Sequence, residues 1–429
     1  MNKSISPLHH PMKGTIDIPG DKSISHRSIM FGALASGTTE ITHFLKAEDC
    51  ISTISCFRQM GVTIEEQEDC ILVHGVGLHG LKRPLMTLFT GNSGTTTRLI
   101  SGILAAQQFD CTLTGDSSIE KRPMKRIIQP LSMMGACIDS IHHNDCAPLF
   151  IHGTHLHGID YTMPVASAQV KSAILLAGLY ADEPTTITEL VPSRNHTELM
   201  LKNYGCDITT QGHTITLKPG QPLNACKITV PSDISSAAYF IAAALLVPGS
   251  LLTLPNIGIN PTRDGIIHVI QSMGGNIELK NKRLSAGEQI ADLVVRYSTL
   301  HGTVIEGDII PTLIDEIPLI AILSAVSKGT TIIRDAAELH YKECDRIEVM
   351  VENLKKVGIH ATAESDGMII EGSHHFEGGM INSYHDHRIA MSFAIAGLIA
   401  KAPIHIMDAD CISISYPEFF TSLEQLAHK

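Results

Sequence analysis

A unit of about seventy residues recurs along this 429-residue chain, and no single feature constrains its fold more. Five times a periodic apolar stretch stops at a glycine and a short strand pattern follows. The sites are Met60-Gly61-Val62, Met134-Gly135-Ala136, Tyr204-Gly205-Cys206, Met273-Gly274-Gly275 and Val357-Gly358-Ile359, and the glycines are 74, 70, 69 and 84 residues apart. Six times a helix end runs into a β-branched strand: Gly37-Thr38-Thr39-Glu40-Ile41, Gln108 to Leu113, Pro184-Thr185-Thr186-Ile187, Pro248-Gly249-Ser250-Leu251, Gly329-Thr330-Thr331-Ile332 and Pro403-Ile404-His405-Ile406. Each unit reads as strand, apolar helix, strand, amphipathic helix and short hairpin. One such unit is too small to bury a core alone, so neighbours must share one. A coarser echo halves the chain: Ile228-Thr229-Val230-Pro231-Ser232-Asp233-Ile234-Ser235 resembles Ile16 to Ser23 at an offset of 212. Two α/β domains of three units each are predicted, with the chain crossing at Pro19-Gly20 and Pro231-Ser232.

Composition narrows the function. Hydrophobic residues make up 44% of the chain, enough for large cores and too many for disorder. Aromatics are only 4% and tryptophan is absent, which opposes a base-stacking nucleic-acid platform. A formal charge of −12 opposes broad polyanion binding but leaves room for a small anion in a local positive pocket. Ten dispersed cysteines without a C-x-x-C pair read as reduced thiols. Residues 1–14 show no apolar leader, and the longest apolar runs, Ala237 to Val247 and Ile317 to Val326, fall short of the ~20 residues of a membrane span. A cytoplasmic protein is expected, with neither membrane nor nucleic acid as partner.

Polar clusters precede the apolar helix of each unit. They are Lys22-Ser23 to Arg27, Gly91-Asn92-Ser93-Gly94-Thr95 to Arg98, Ser167-Ala168-Gln169-Val170-Lys171, Ser232 to Ser235, Asp315-Glu316-Ile317-Pro318, and His385-Asp386-His387-Arg388. Capping accounts for Ser, Thr, Asp and Asn there, but not for Arg98, Lys171 or Arg388. Helix N-termini favour anions through free N–H groups and the macrodipole. If equivalent starts face one cleft, their cations add, and a multiply anionic small ligand follows. Lys121-Arg122-Pro123-Met124-Lys125-Arg126 and Tyr341-Lys342-Glu343-Cys344-Asp345-Arg346 add charge; on a helix, Lys342 and Arg346 would share a face with Glu343 between, or Glu343 would simply pair with Arg346.

Other motifs carry less. Gly75 to Gly80 spells G-x-G-x-x-G without a following helix, and Ser118-Ile119-Glu120-Lys121 spells S-x-x-K without its companions. The histidine pairs 9/10, 142/143, 374/375 and 385/387 lack metal-ligand spacing, so no metal is assigned.

Pro19 to Arg27, Gly91-Asn92-Ser93-Gly94-Thr95, Arg122-Pro123, Lys342-Glu343-x-Asp345-Arg346 and Asp386-His387-Arg388 closely resemble the 5-enolpyruvylshikimate-3-phosphate synthase family. The resemblance spans nearly the whole chain. It implies an α/β fold (α+β in some schemes), an inside-out α/β barrel of six βαβαββ repeats with a pseudo-threefold axis in each domain. Residues 1–19 with 231–429 would form the first domain, residues 20–230 the second, and the active site would lie in the interdomain cleft. The implied transferase moves the enolpyruvyl group of phosphoenolpyruvate to the 5-hydroxyl of shikimate 3-phosphate by addition and elimination, on the shikimate pathway to chorismate and aromatic amino acids, without metal or organic cofactor. Lys22, Ser23, Arg27, Ser167, Gln169, Arg194, Asp315 and Lys342 would hold shikimate 3-phosphate. Lys22, Asn92, Gly94, Arg122, Gln169, Arg346, His387 and Arg388 would hold phosphoenolpyruvate. Asp315 would accept the hydroxyl proton, Glu343 would protonate the methylene carbon, and Lys22 would assist proton transfer.

Ala168, Cys344, Leu99 and Ile414, the last in the place of a lysine, depart from the better-known branch of the family, whereas Arg194 in Ser193 to Thr197 and the run Ser167 to Ser172 match its second bacterial class, to which the chain is assigned. The family is the target of glyphosate, and Gly94 is retained where bulk would crowd that herbicide. A monomer is expected. The rivals are UDP-N-acetylglucosamine enolpyruvyl transferase, whose Lys-Asn motif is absent here, a non-catalytic anion-binding module on the same fold, and, more remotely, a serine hydrolase through Ser118.

Overall fold

The computed structural model describes residues 1–373 and 375–427; His374, of the 374/375 pair, lies outside them. The chain forms two compact units. One comprises Met1–Pro19, Ser232–Arg283 and the chain from Gln289 on; the other comprises Gly20–Pro231 with Leu284–Glu288. Among the described residues six separate sheets of three to five strands carry the fold, and none closes on itself. Among the described residues no helix is long and apolar enough to cross a membrane.

Each sheet is built around one of the β-branched strands. Ala35–Thr42, Cys111–Thr114, Thr185–Glu189, Leu251–Gly258, Thr330–Ile333 and Ile404–Met407 each have a parallel strand on one side and an antiparallel strand on the other. In five sheets the antiparallel neighbour belongs to the unit's own hairpin. In the sixth, the N-terminal strand Lys3–Ile5 takes that place beside Ile404–Met407.

The repeated glycines have one backbone conformation. Gly61, Gly135, Gly205, Gly274 and Gly358 all have φ between 86° and 95°. The N–H of the residue after each glycine donates to the carbonyl five residues back: Val62 to Phe57, Ala136 to Leu131, Cys206 to Leu201, Gly275 to Ile270 and Ile359 to Leu354, at 2.8–3.1 Å. The same Schellman motif therefore ends five helices, and only glycine holds that left-handed position without strain.

Two strands pair within their own unit although the helix that follows each belongs to the other. Lys13–Thr15 pairs with Leu251–Thr253 of the same unit, while the next helix, Lys22–Leu34, lies in the second unit. Lys227–Thr229, which leads into Ile234–Leu246, pairs with Glu40–Thr42.

Largely buried helices fill the two cores. Every residue of Ile234–Leu246 and of Ile317–Ala325 is buried, and both pack on His387–Gly397. In the other unit Gly94–Leu104 packs on Lys22–Leu34 and Ala168–Gly178. A Cβ on Gly102 would stand 2.2 Å from the Ala173 carbonyl, so glycine permits that approach.

Candidate active site

Five of the six apolar helices that follow the polar clusters start on a side-chain cap. Asp21 accepts from the Ile24 N–H at 2.8 Å, Ser93 from Thr96 at 3.0 Å, Ser167 from Val170 at 3.4 Å, Asp233 from Ser235 at 3.0 Å, and Asp386 from Arg388 at 2.8 Å. Glu316 precedes the remaining helix without a side-chain cap, and Pro318 sits in its first turn. The caps leave the neighbouring cations for other partners.

In the unit of residues 20–231 each of those cations has partners of its own. Lys22 pairs with Asp49, which the sequence did not single out. Arg27 is buried; its Nε donates to Thr197 Oγ1 at 2.7 Å, Nη1 to the Ser23 carbonyl at 2.9 Å, and Nη2 to Ser172 Oγ at 2.8 Å. Burial lowers its pKa to about 10, against the opposing pull of Glu198 and Asp21. His26, one residue earlier, bonds through Nδ1 to Thr53 Oγ1 at 2.7 Å, and Thr53 bonds to Thr96 at the next helix start.

Around Gly94 two guanidinium groups converge. A Cβ there would lie 3.2 Å from Arg122 Nη1 and 3.3 Å from Arg98 Nη1. Arg122 Nη2 donates to Asn92 Oδ1 at 3.1 Å and to Ser118 Oγ at 3.0 Å. Asn92 donates in turn to Asp116 at 2.6 Å. Arg98 Nη1 donates to Gln169 Oε1 at 2.5 Å, and Gln169 Nε2 to Thr95 Oγ1 at 3.2 Å. A helix start with a glycine between two arginines is well made for an anion. Of the basic run 121–126, Arg122 turns into this group while Lys121 and Lys125 are exposed.

Lys171 accounts for itself differently. Fully buried, its Nζ donates to Glu189 Oε2 at 2.9 Å and to the Ser193 carbonyl at 3.3 Å, and pairs with Glu198 Oε1 at 2.7 Å. Glu189 Oε1 accepts from the Ser193 N–H at 3.0 Å and its hydroxyl at 2.5 Å. The segment carrying Arg194 is thereby anchored to the helix Ala168–Gly178. Glu189 and Glu198 were missed by sequence; the unexplained mid-helix lysine was the available signal.

In the other unit Asp315 is the hub. Its carboxylate lies 3.6 Å from Lys342 Nζ, 3.5 Å from Arg346 Nη1 and 3.7 Å from Arg388 Nη2, and its carbonyl accepts from Arg388 Nη1 at 3.1 Å. Arg346 also donates to Glu343 at 2.6 Å and to Asp386 at 2.8 Å. Burial disfavours the Arg346 charge, but Asp386, Glu343 and Asp315 outweigh it and raise its pKa; Arg388 is likewise raised despite burial, chiefly by Asp315. Burial pushes the Cys344 thiol up, so it stays protonated beside Asp386. His387 is buried in the first turn of its helix, and Ile414 packs on the apolar core.

One expectation needs correcting. Lys342 and Arg346 do not share a helix face: Lys342 follows the 3₁₀ turn Ala337–Tyr341, and the helix begins only at Arg346 on the Asp345 cap. Both still reach Asp315. Glu343 does pair with Arg346, three residues on.

Comparison with known proteins identifies this arrangement. The model of the EPSP synthase family, 3-phosphoshikimate 1-carboxyvinyltransferase, matches residues 8–423. The chain belongs to the EPSP synthase family. It is 52% identical over 415 residues to the 3-phosphoshikimate 1-carboxyvinyltransferase of Thermoanaerobacter sp. strain X514, covering 97% of this chain and 98% of that one. The corresponding Brevibacillus brevis protein is 53% identical over 416 residues, again covering 97% and 98%. A solved structure of EPSP synthase from Acinetobacter baumannii superposes with a TM-score of 0.89 at 47% identity, covering 99% of this chain and 98% of the other.

Proposed function

We propose that this chain is a 3-phosphoshikimate 1-carboxyvinyltransferase, acting as a cytoplasmic monomer on two small anionic substrates. The observation that carries the reading is Asp315, ringed by Lys342, Arg346 and Arg388 beside Glu343, in a chain whose family membership extends over residues 8–423. The reading assigns the cations of both units to the same pair of substrates.

Lys22, Ser23, Arg27, Ser167, Gln169, Arg194 and Lys342 would bind shikimate 3-phosphate, and Asp315 would orient its 5-hydroxyl. Lys22, Asn92, Gly94, Arg122, Gln169, Arg346, His387 and Arg388 would bind the phosphate and carboxylate of phosphoenolpyruvate. In the addition step, a proton from Glu343 goes to the methylene carbon and the 5-hydroxyl oxygen bonds to C2. Asp315 takes the hydroxyl proton. In the elimination step, the ionised Glu343 takes a proton back from the new methyl group, the double bond re-forms, the C2–O bond to phosphate breaks, and the departing phosphate carries off the proton that Asp315 had taken. Fixed cations favour this route because charge on phosphate and carboxylate is met without reorganisation, and positioned acid–base groups supply typically 10²–10⁴-fold. The scheme balances without a redox or metal-dependent step.

The discriminating assay measures phosphate release from phosphoenolpyruvate with shikimate 3-phosphate and, separately, with UDP-N-acetylglucosamine. Turnover with the first acceptor alone is expected. Turnover with only the second, or with neither, would overturn the reading.

A further inference from the structure

Away from these clusters, the hairpin of Cys137–Ser140 and Leu149–His152 carries a second kind of chemistry. The strands are antiparallel, and Cys137 lies directly opposite His152. Cys137 and Asp139 are exposed on one face, while Ile138 between them is buried, as the period of two demands. One ligand atom from each of Cys137, Asp139 and His152 falls within 4.8 Å of the others, and His152 Nε2 is 3.5 Å from Asp139 Oδ2. The other ring nitrogen, Nδ1, is 3.6 Å from Asp110 Oδ2, and Asp110 Oδ1 accepts from the Gly153 N–H at 3.2 Å. Phe150 packs edge-on against the imidazole with centroids 4.7 Å apart.

We propose that Cys137, Asp139 and His152 bind one zinc ion, with Asp110 orienting the histidine. Thiolate, imidazole and carboxylate together form a donor set for a borderline-soft divalent ion, and the sulfur disfavours magnesium or calcium. Tetrahedral zinc takes sulfur at about 2.3 Å and nitrogen or oxygen at about 2.0–2.2 Å, so its ligand atoms lie roughly 3.3–3.7 Å apart. Small rotations of exposed side chains close the gap from 4.8 Å. Water completes the fourth position. Asp110 supplies what metal-bound histidines commonly have, a carboxylate on the far ring nitrogen that selects the tautomer and the ring orientation. Binding displaces the thiol proton to solvent, so affinity rises with pH. Spacing along the chain hides this group, since strand pairing brings together residues fifteen apart.

A nearby cluster provides the internal control. His155 and His157 both bond Asp182 Oδ2, at 3.3 and 2.7 Å, and offer no thiolate.

The test titrates chelator-stripped full-length protein with zinc against a chromophoric chelator, and with cobalt(II) to report sulfur ligation. Wild type is expected to bind one zinc at this site and to show a thiolate-to-cobalt charge-transfer band. Cys137→Ser should abolish that band, and Cys137→Ser and His152→Ala should each lose zinc affinity by more than tenfold. Asp110→Asn should weaken it about 10–100-fold, and His155→Ala should leave it unchanged. All four positions lie outside the cores, so thermal midpoints in excess chelator should match wild type and confirm that every variant is folded. No zinc bound by wild type, zinc that survives both Cys137→Ser and His152→Ala, or zinc lost only in His155→Ala would overturn the assignment.

Discussion

Arg346 ties three carboxylates together, and this arrangement makes Glu343 separable by mutation. Glu343→Gln keeps an oxygen that can accept from Arg346, while Asp315 and Asp386 still neutralise the guanidinium. What is lost is one of the three carboxylate charges around Arg346 and, with it, the site of the transferable proton. Affinity for shikimate 3-phosphate, measured by calorimetry, should therefore stay within a fewfold, while kcat falls by about 10² or more. Unchanged kcat would remove Glu343 from proton transfer. His26 supports a second residue-scale prediction. Burial, reinforced by Lys22 and Arg27, holds its pKa well below 6.5, so the folded protein keeps it neutral where the unfolded chain would protonate it. Its contribution to stability is present above pH 6.5 and is lost as pH falls below that value. Denaturant unfolding should show this acid-side loss, and His26→Gln should flatten it; an equal slope in both proteins would assign the loss to other groups.

The repeating glycines are legible in the sequence because a helix that must stop in a left-handed residue has almost no alternative to glycine. The strand behind each helix is legible for a similar reason, β-branching beside a turn. The pairing of Lys13–Thr15 with Leu251–Thr253 and of Lys227–Thr229 with Glu40–Thr42, each far apart in the chain, is harder to see, since strand patterning carries no information about the pairing partner. Gly274→Ala tests the helix stop alone, because its Cβ would meet only ordinary contacts with His301 and Thr299. The positive φ should cost about 1–2 kcal/mol in denaturant unfolding. A loss near zero would mean that the backbone relaxes out of the motif. Lys171 is a heavier element-scale case. Lys171→Met leaves Glu189 and Glu198 buried without their cation, a change that typically costs about 3–5 kcal/mol. It also frees the Ser193 carbonyl, so KM for shikimate 3-phosphate should rise more than KM for phosphoenolpyruvate. Equal KM changes would make Lys171 purely structural.

Across the whole molecule, charge is distributed against its own total. A chain of net charge −12 gathers Lys22, Arg27, Arg98 and Arg122 in one unit and Lys342, Arg346 and Arg388 in the other, all at or near helix starts. The internal duplication accounts for the scaffold and its loss of symmetry for the chemistry: Asp21 and Asp233 both cap, but Lys22 has no cationic counterpart at Ile234. The proposed assignments are asymmetric in the same way. Six of the eight residues given to shikimate 3-phosphate lie in the unit of Gly20–Pro231, whereas those given to phosphoenolpyruvate are divided between the units. Hydrogen exchange can read this directly, since a ligand at about 100 times its Kd stabilises the bound form by about 2.7 kcal/mol and slows the coupled openings about a hundredfold. Shikimate 3-phosphate alone should protect amides 21–27, 167–171 and 193–198 far more than any segment of the other unit. Phosphoenolpyruvate added to that complex should extend protection to 91–98, 343–346 and 386–389. Protection by shikimate 3-phosphate confined to 343–346 and 386–389 would reverse the assignment, because the acceptor's phosphate would then be held by Arg346 and Arg388 rather than by the cluster around Lys22.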